Sequence, residues 1–552
     1  MVNDAREPAL VPARPVRGRH GAVASPHHLA SEAGLATLRA GGSAVDAAIA
    51  ANAALAVVSG HSCGLGGDAF WLIWDAERSA AVTLNGSGRA GSGATIEAVR
   101  ADGHSHMPER GRWSVSVPGA VHSWGVAHER FGRRPWARLL EPAIDLAEGF
   151  PASPGWLAAV ERAAALFERD GDWARTYRPH DRVTGSGQIV RLSVLGATLR
   201  RIAEEGAMSA YAGSVASSTA AYFESRGVPV SASDLAAHTS DWAEPIGIDY
   251  RGVTATTHAP NSVGVVALQA LALLERLGRP REDAFDGRGW NDAAWVHLGL
   301  EASRLGLAER DVWVSDPRSM PTEAVDDMLS PSRLDALAAR IETDRAMPLP
   351  AQTLPGGGGT VYLATTDRWG NAVSLIESNY MGFGSGLVDP ATGIAFHDRG
   401  AFFSLDPAHP NALAPGKRTA HTLAPGMLFR DGLPWMVHGS MGGEIQPQVF
   451  AQFVSAAVDG GTDVATAVSA PRWAALMRRQ HGPADLTLLE SRAHETVARG
   501  LAALGHDVEV TEPWDSVMGH AQAIEIVRDR HGALASYAAA TDPRAEGAAA
   551  AY

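Results

Sequence analysis

The chain has 552 residues, 45% hydrophobic and 20% charged, with 47 basic against 61 acidic side chains and a formal net charge of −14. That balance argues against a polyanion-binding surface, and a single cysteine, Cys63, excludes both an intramolecular disulfide framework and a multi-cysteine zinc site. No uninterrupted apolar run reaches membrane length, which argues against a transmembrane protein.

Residues 1–20, with Pro8, Pro12 and Pro15 among charged side chains, read as a loose tail. They lack the continuous apolar stretch of a secretory signal, so a cytoplasmic location is expected. Residues 43–58 (SAVDAAIAANAALAVV) predict a buried alanine-rich helix with Ser43 as its N-cap. Residues 69–84 predict a strand hairpin, because apolar runs flank the polar turn Asp-Ala-Glu-Arg-Ser. Helical apolar spacing marks residues 193–225 and 266–276, and Trp290 and Trp295 are expected as core residues of a helix. Residues 346–359 hold three prolines and four consecutive glycines, a connector on composition. Beyond it, TVYLATTD and AVSLIES predict two strands about a Trp-Gly-Asn turn. His27-His28 and His104-x-His106 read as loop histidines, and CGLGGD is no phosphate loop, since it lacks the Lys-Ser/Thr that would contact phosphate and metal. No metal or cofactor is expected.

Thr360 stands directly after the glycine run. A threonine hydroxyl is a weak nucleophile and needs a base beside it. Cleaving the peptide bond before the residue supplies one, because the freed α-amine has a reference pKa of about 8. Gly359 permits the unusual backbone geometry that self-attack requires. On its own, Thr360 reads as a β-former at a strand start.

The strings TVYLATTDRWGNAVSLIESNYMGFGSGLV, GIAFHDRGAFFS, PGKRTAHTLAPGM and HGSMGGEIQPQ resemble the small subunit of the γ-glutamyltransferase family. GAVASPHHLASEAGLATLRAGGSAVDAAIAANAALAVV, GLGGDAF and SVPGAVHSWGVAHERFGRRPWARLLEPAIDLAEGF are similar to its large subunit, and the resemblance runs from about residue 20 to about residue 540. It implies an N-terminal-nucleophile hydrolase, an α/β (α+β) protein with an αββα sandwich, made as a precursor. Self-cleavage at Gly359–Thr360 would give a large chain, 21–359 behind the tail, and a small chain, 360–552, interlocked and paired as a dimer of heterodimers. Thr360 falls on the family nucleophile, Ser378 on the threonine that supports the nucleophile's amine, and Gly442 and Gly443 on the glycines whose N–H groups form the oxyanion hole. Two adjacent glycines let backbone donors converge on a developing oxyanion.

The departures from the family pattern concern the substrate. Ser87 stands where the family has a carboxylate-binding arginine, with Arg89 two residues on. His421 and Thr422 replace paired serines, Tyr380 replaces a substrate asparagine, and Phe402 replaces the aspartate that binds an α-ammonium. Arg399, at a family glutamine position, offers a planar fork for a carboxylate, or else forms a structural ion pair with Asp398 or Glu377. The connection SLDPAHPNALAPGKR is shorter than in members that fold a lid over the site, so an open pocket favouring hydrolysis is expected. The motifs DRGAFFSLDP, PGKRTAHT and GSMGGEIQPQ resemble a cytoplasmic subgroup that includes oxamate-type amidohydrolases. The resulting expectation is an amidohydrolase for a small, carboxylate-bearing amide, with neither nucleic acid nor membrane as partner. The alternatives are a true γ-glutamyltransferase or glutathione hydrolase, and a catalytically silent binding or assembly homologue.

Overall fold

Period-two alternation of apolar side chains gives each central strand two buried faces, and the chain stacks accordingly into four layers. The computed structural model describes residues 14–168, 171–179, 183–286, 289–347, 359–476 and 486–552. We number the strands of its two large sheets β1 (Val16–Gly18), β2 (Ala22–Ser25), β3 (Asp68–Asp75), β4 (Ala80–Gly86), β5 (Asp241–Ala243), β6 (Ile246–Tyr250), β7 (Val253–Thr257), β8 (Gly359–Thr366), β9 (Ala372–Tyr380), β10 (Gly426–Arg430), β11 (Leu433–Ser440), β12 (Ala521–Arg528), β13 (Leu534–Thr541) and β14 (Ala548–Ala551). One sheet runs β14-β2-β8-β9-β3-β4-β5 and the other β1-β13-β12-β11-β10-β7-β6, antiparallel throughout. Both sheets thus combine strands from either side of residue 359.

Between the sheets, Phe70, Leu72, Tyr362 and Ile376 meet Met427, Val437, Ile524 and Tyr537. The intervening residues of the first sheet, such as Trp71, Val361 and Leu375, pack outward on α1 (His28–Arg39), α2 (Ala44–Val58), α3 (Ala120–Phe131) and α4 (Trp136–Glu148). Leu428, Met436 and Ala523 of the second sheet pack on α5 (Gly264–Leu277), α6 (Ala293–Trp313) and α7 (Gln446–Val458). This is the αββα sandwich of the N-terminal-nucleophile hydrolases.

The expected helix at 43–58 is α2, and its capping box is formed: Ser43 Oγ accepts from the Asp46 N–H at 3.1 Å and the Asp46 carboxylate accepts from the Ser43 N–H at 2.9 Å. The hairpin at 69–84 is β3–β4. Two expectations need correction. Val16–Gly18 is not loose: it pairs with β13, because a strand that completes a sheet edge satisfies backbone groups that a tail would leave to water. Trp290 lies in a two-residue strand, not a helix, although it and Trp295 are both buried as expected. Residues 1–13 of the tail and 348–358 of the connector lie outside the described residues. No helix among the described residues is long and apolar enough to cross a membrane.

Candidate active site

Thr360 stands at the first full pairing position of β8, directly opposite Ser378 on β9. The register shifts at the Gly359–Thr360 peptide: Gly359 faces Tyr380, so Asn379 is an extra residue, a β-bulge at the expected cleavage point. The Asn379 N–H instead donates to Ser62 O at 3.0 Å. Tyr380 closes the bulge in the left-handed region (φ +73°), a strained conformation for a bulky residue and one that concentrates at functional sites. A side chain at 359 would come within 2.7 Å of the Met381 carbonyl, so only glycine fits there.

One hydroxyl organises this corner. Ser378 Oγ donates to the Gly359 carbonyl oxygen at 2.6 Å, accepts from the Tyr380 N–H at 2.7 Å, and lies 2.9 Å from Thr360 Oγ1. With the Ser378 proton spent on Gly359, the Thr360 hydroxyl is left to donate to Ser378. The threonine oxygen and the carbonyl before it are therefore joined through a single serine.

The Gly442–Gly443 turn arrives from the opposite sheet. Tyr362, two residues along β8 from Thr360, lies against Gly439 of β11, where a Cβ would meet the ring at 2.4 Å. Strand β11 ends at Ser440, so the turn emerges at the end of the sandwich that carries Thr360. Gly442 (φ +142°) and Gly443 (φ +58°) both adopt backbone conformations that favour glycine, ahead of the first turn of α7.

Arg399 is 2% exposed and its guanidinium stacks 3.8 Å from the Tyr380 ring centroid. Nη2 donates to Thr422 Oγ1 at 3.0 Å, while Nε and Nη1 have no partner. No carboxylate reaches ion-pair distance of Arg399 among the described residues, so the ion pair with Asp398 or Glu377 is not formed. The buried guanidiniums of Arg304, Arg310, Arg418, Arg472 and Arg544 each hold an acid. A buried cation with unspent donors is costly unless something fills them.

His421 is neutral in this setting: burial, then the Arg399 charge, hold it down at about 3. Its Nε2–H donates to Asp68 Oδ2 at 3.2 Å and leaves Nδ1 as a buried, unpartnered acceptor. Burial would raise the Asp68 carboxyl, but His397, His421 and the Gly88 N–H outweigh it and bring it to about 2. Arg89 is placed differently. Its guanidinium bonds Asp316 at 2.9 Å and Asp241 at 3.4 Å, and is thereby committed to a charge network. Ser87 Oγ is likewise spent on Asn85. The expected open pocket is not seen, since Thr360 is 3% exposed. The rings of Tyr380 and Phe402 meet edge-on at 6.0 Å, and Asn411 fastens the 404–418 segment by donating to Phe402 O and Thr419 Oγ1. Residue reasoning also passed over Asp68, although it stands in the singled-out CGLGGD turn, and over Glu444, next to the paired glycines.

Comparisons with known proteins give the family of the chain. The model of the gamma-glutamyltranspeptidase family matches residues 30–552. This chain belongs to that family. It is 39% identical to the oxamate amidohydrolase proenzyme of Klebsiella pneumoniae over 541 residues, 97% of this chain and 98% of that one. It is 36% identical to the glutathione hydrolase-like YwrD proenzyme of Bacillus subtilis, over 97% of this chain and 99% of that one. The crystal structure of the cephalosporin acylase of Bacillus halodurans superposes with a TM-score of 0.90 at 36% identity, covering 100% of this chain and 99% of that one. The family member described here is an amidohydrolase of the N-terminal-nucleophile type, made as a precursor.

Beside the site lies Glu377, fully buried, with Oε1 accepting the Gly64 N–H at 2.9 Å and Oε2 unpartnered. Burial, opposed by that N–H, pushes its carboxyl up to about 8. The folded chain therefore holds a proton there that the unfolded chain releases near pH 4.5. Stability falls as pH rises from about 4.5 to about 8. Glu377→Gln, made in the uncleaved Thr360→Ala chain, should unfold at a higher temperature than its parent at pH 8 and show little gain at pH 4.5. Equal unfolding temperatures at pH 8 would show that Glu377 is ionised without cost.

Proposed function

We propose that this protein is a self-cleaving hydrolase of small amides that carry a carboxylate, with Thr360 as nucleophile. In the precursor, the Thr360 oxygen attacks the Gly359 carbonyl carbon. Its proton passes to Ser378 Oγ as the Ser378 proton passes to the carbonyl oxygen. Collapse breaks the C–N bond with a proton to nitrogen, and water hydrolyses the resulting ester. The products are a Gly359 carboxylate and a free Thr360 amine.

That amine is the base of the mature reaction. It takes the Thr360 hydroxyl proton as the oxygen attacks the substrate amide, with Ser378 orienting it. The N–H groups of Gly442 and Gly443 take the oxyanion, worth about 3 kcal/mol for one such donor. The amine then gives its proton to the leaving nitrogen, and water releases the acid. Arg399 holds the substrate carboxylate with Thr422 beside it, Tyr380 stacks under the guanidinium, and the free Nδ1 of His421 accepts from a substrate N–H.

The observation that carries the substrate class is Arg399: buried, without an acid, and with two nitrogens unspent. An oxamate-like or glutaryl-like amide supplies the missing carboxylate. Arg399→Lys keeps the charge and loses the fork, so KM for an acidic amide should rise roughly 10–100-fold, the worth of about 1.5–3 kcal/mol in hydrogen bonds to a charged group. Cleavage into two chains should be spared. Unchanged kinetics in a normally cleaved variant would make Arg399 structural.

A further inference from the structure

The turn that carries Gly442 and Gly443 is tied to the other side of the cleavage point. Glu444, the next residue, accepts from Nη1 of Arg310 in the last turn of α6. Arg310 is 1% exposed, its Nε donates to Asp311 at 2.7 Å, and its guanidinium lies 5.5 Å from the centroid of Phe402. Phe402 meets Tyr380 edge-on at 6.0 Å, and Tyr380 carries Arg399. One contiguous chain of side chains, Arg399–Tyr380–Phe402–Arg310–Glu444, thus connects the carboxylate clamp with the glycine turn.

Gly442 and Gly443 cannot hold their own conformation, since glycine has no side chain to pack and the largest backbone freedom. A turn that must present two N–H groups to an oxyanion needs an outside anchor, because displacement of an ångström costs orders of magnitude in rate. Here the anchor is a partly buried, charge-assisted hydrogen bond from a residue before position 359 to one after it. We propose that Arg310 is a positioning residue for hydrolysis: through Glu444 it fixes the Gly442–Gly443 turn. This rests on the Thr360 reading above.

The test uses the cleaved enzyme, a carboxylate-bearing anilide and a neutral acyl anilide. Glu444→Gln keeps shape and removes the charge, and Arg310→Lys cannot hold Asp311 and Glu444 together. Each should lower kcat about tenfold or more on both substrates, with KM for the acid changed less than about threefold, because the oxyanion forms whichever acyl group is bound. The double variant should lose no more than the worse single one, since both break one link. Losses that multiply, a loss confined to KM for the acid, or full kcat in a folded single variant would each overturn the brace. Should Arg310→Lys fail to fold, Glu444→Gln alone decides through the kcat–KM split. Failure of the Thr360 reading is seen separately, as activity surviving in Thr360→Ala.

Discussion

Thr360→Ala should remain one 552-residue chain on a denaturing gel, whereas the unaltered protein should separate into pieces of 359 and 193 residues. Alanine removes the oxygen that lies 2.9 Å from Ser378 Oγ and leaves every other contact of the corner in place. Hydrolysis should fall to background, because the variant lacks both the nucleophile and the released amine. Losing a nucleophile of this kind costs on the order of 10⁶-fold in kcat. Ser378→Ala separates two roles. The Gly359 carbonyl loses its hydrogen bond, so cleavage should slow from the outset, and the small chain that does form should hydrolyse substrate slowly. An unaltered chain that stays whole after long incubation and is nonetheless active would refute self-cleavage as the source of the base.

The second large effect concerns the donor. Phe402 stands where the family pattern has an ammonium-binding aspartate, and its ring is flanked by Arg310 at 5.5 Å and Arg399 at 5.9 Å. An α-ammonium brought there would meet an aromatic face between two cations. Cation–π attraction recovers about 1–2 kcal/mol at best, less than a desolvated ammonium loses without an anionic partner. Amine-free donors, glutaryl or oxamate-like, should therefore match or exceed the corresponding γ-glutamyl compounds in kcat/KM, compared at one pH with one leaving group. A site built for the ammonium would instead reject the amine-free analogue by orders of magnitude. The unpartnered carboxylate oxygens near the pocket include Asp398 Oδ2 and Glu444 Oε1, and burial raises the Asp398 carboxyl to about 7. If the γ-glutamyl donor wins by more than about a hundredfold, those two acids hold its ammonium and the substrate class proposed here is wrong, while the Thr360 chemistry stands.

The sequence by itself determined the elements and the chemistry confined to short stretches. Ser43 announces the N-cap of α2 because a cap is completed within four residues. Asp-Ala-Glu-Arg-Ser announces the β3–β4 turn, and Trp-Gly-Asn the β8–β9 turn, because hairpin geometry is local. The motif strings around Thr360, Ser378 and Gly442–Gly443 carried the family, and with it the sandwich. What only the tertiary structure decided is who partners whom across the sheets. Arg399 and Arg89 look alike in sequence, yet one is buried without an acid and the other is bound to Asp316 and Asp241. Asp68 and His421 are 353 residues apart, and Arg310 and Glu444 are 134 apart. Thr360, expected beside an open pocket, is buried, and Tyr380, held at positive φ by the bulge at Asn379, meets the ring of Phe402 edge-on. Pairings of this kind leave no periodic trace in a single chain, because burial and charge compensation are settled by the whole packed assembly and not by neighbours in sequence.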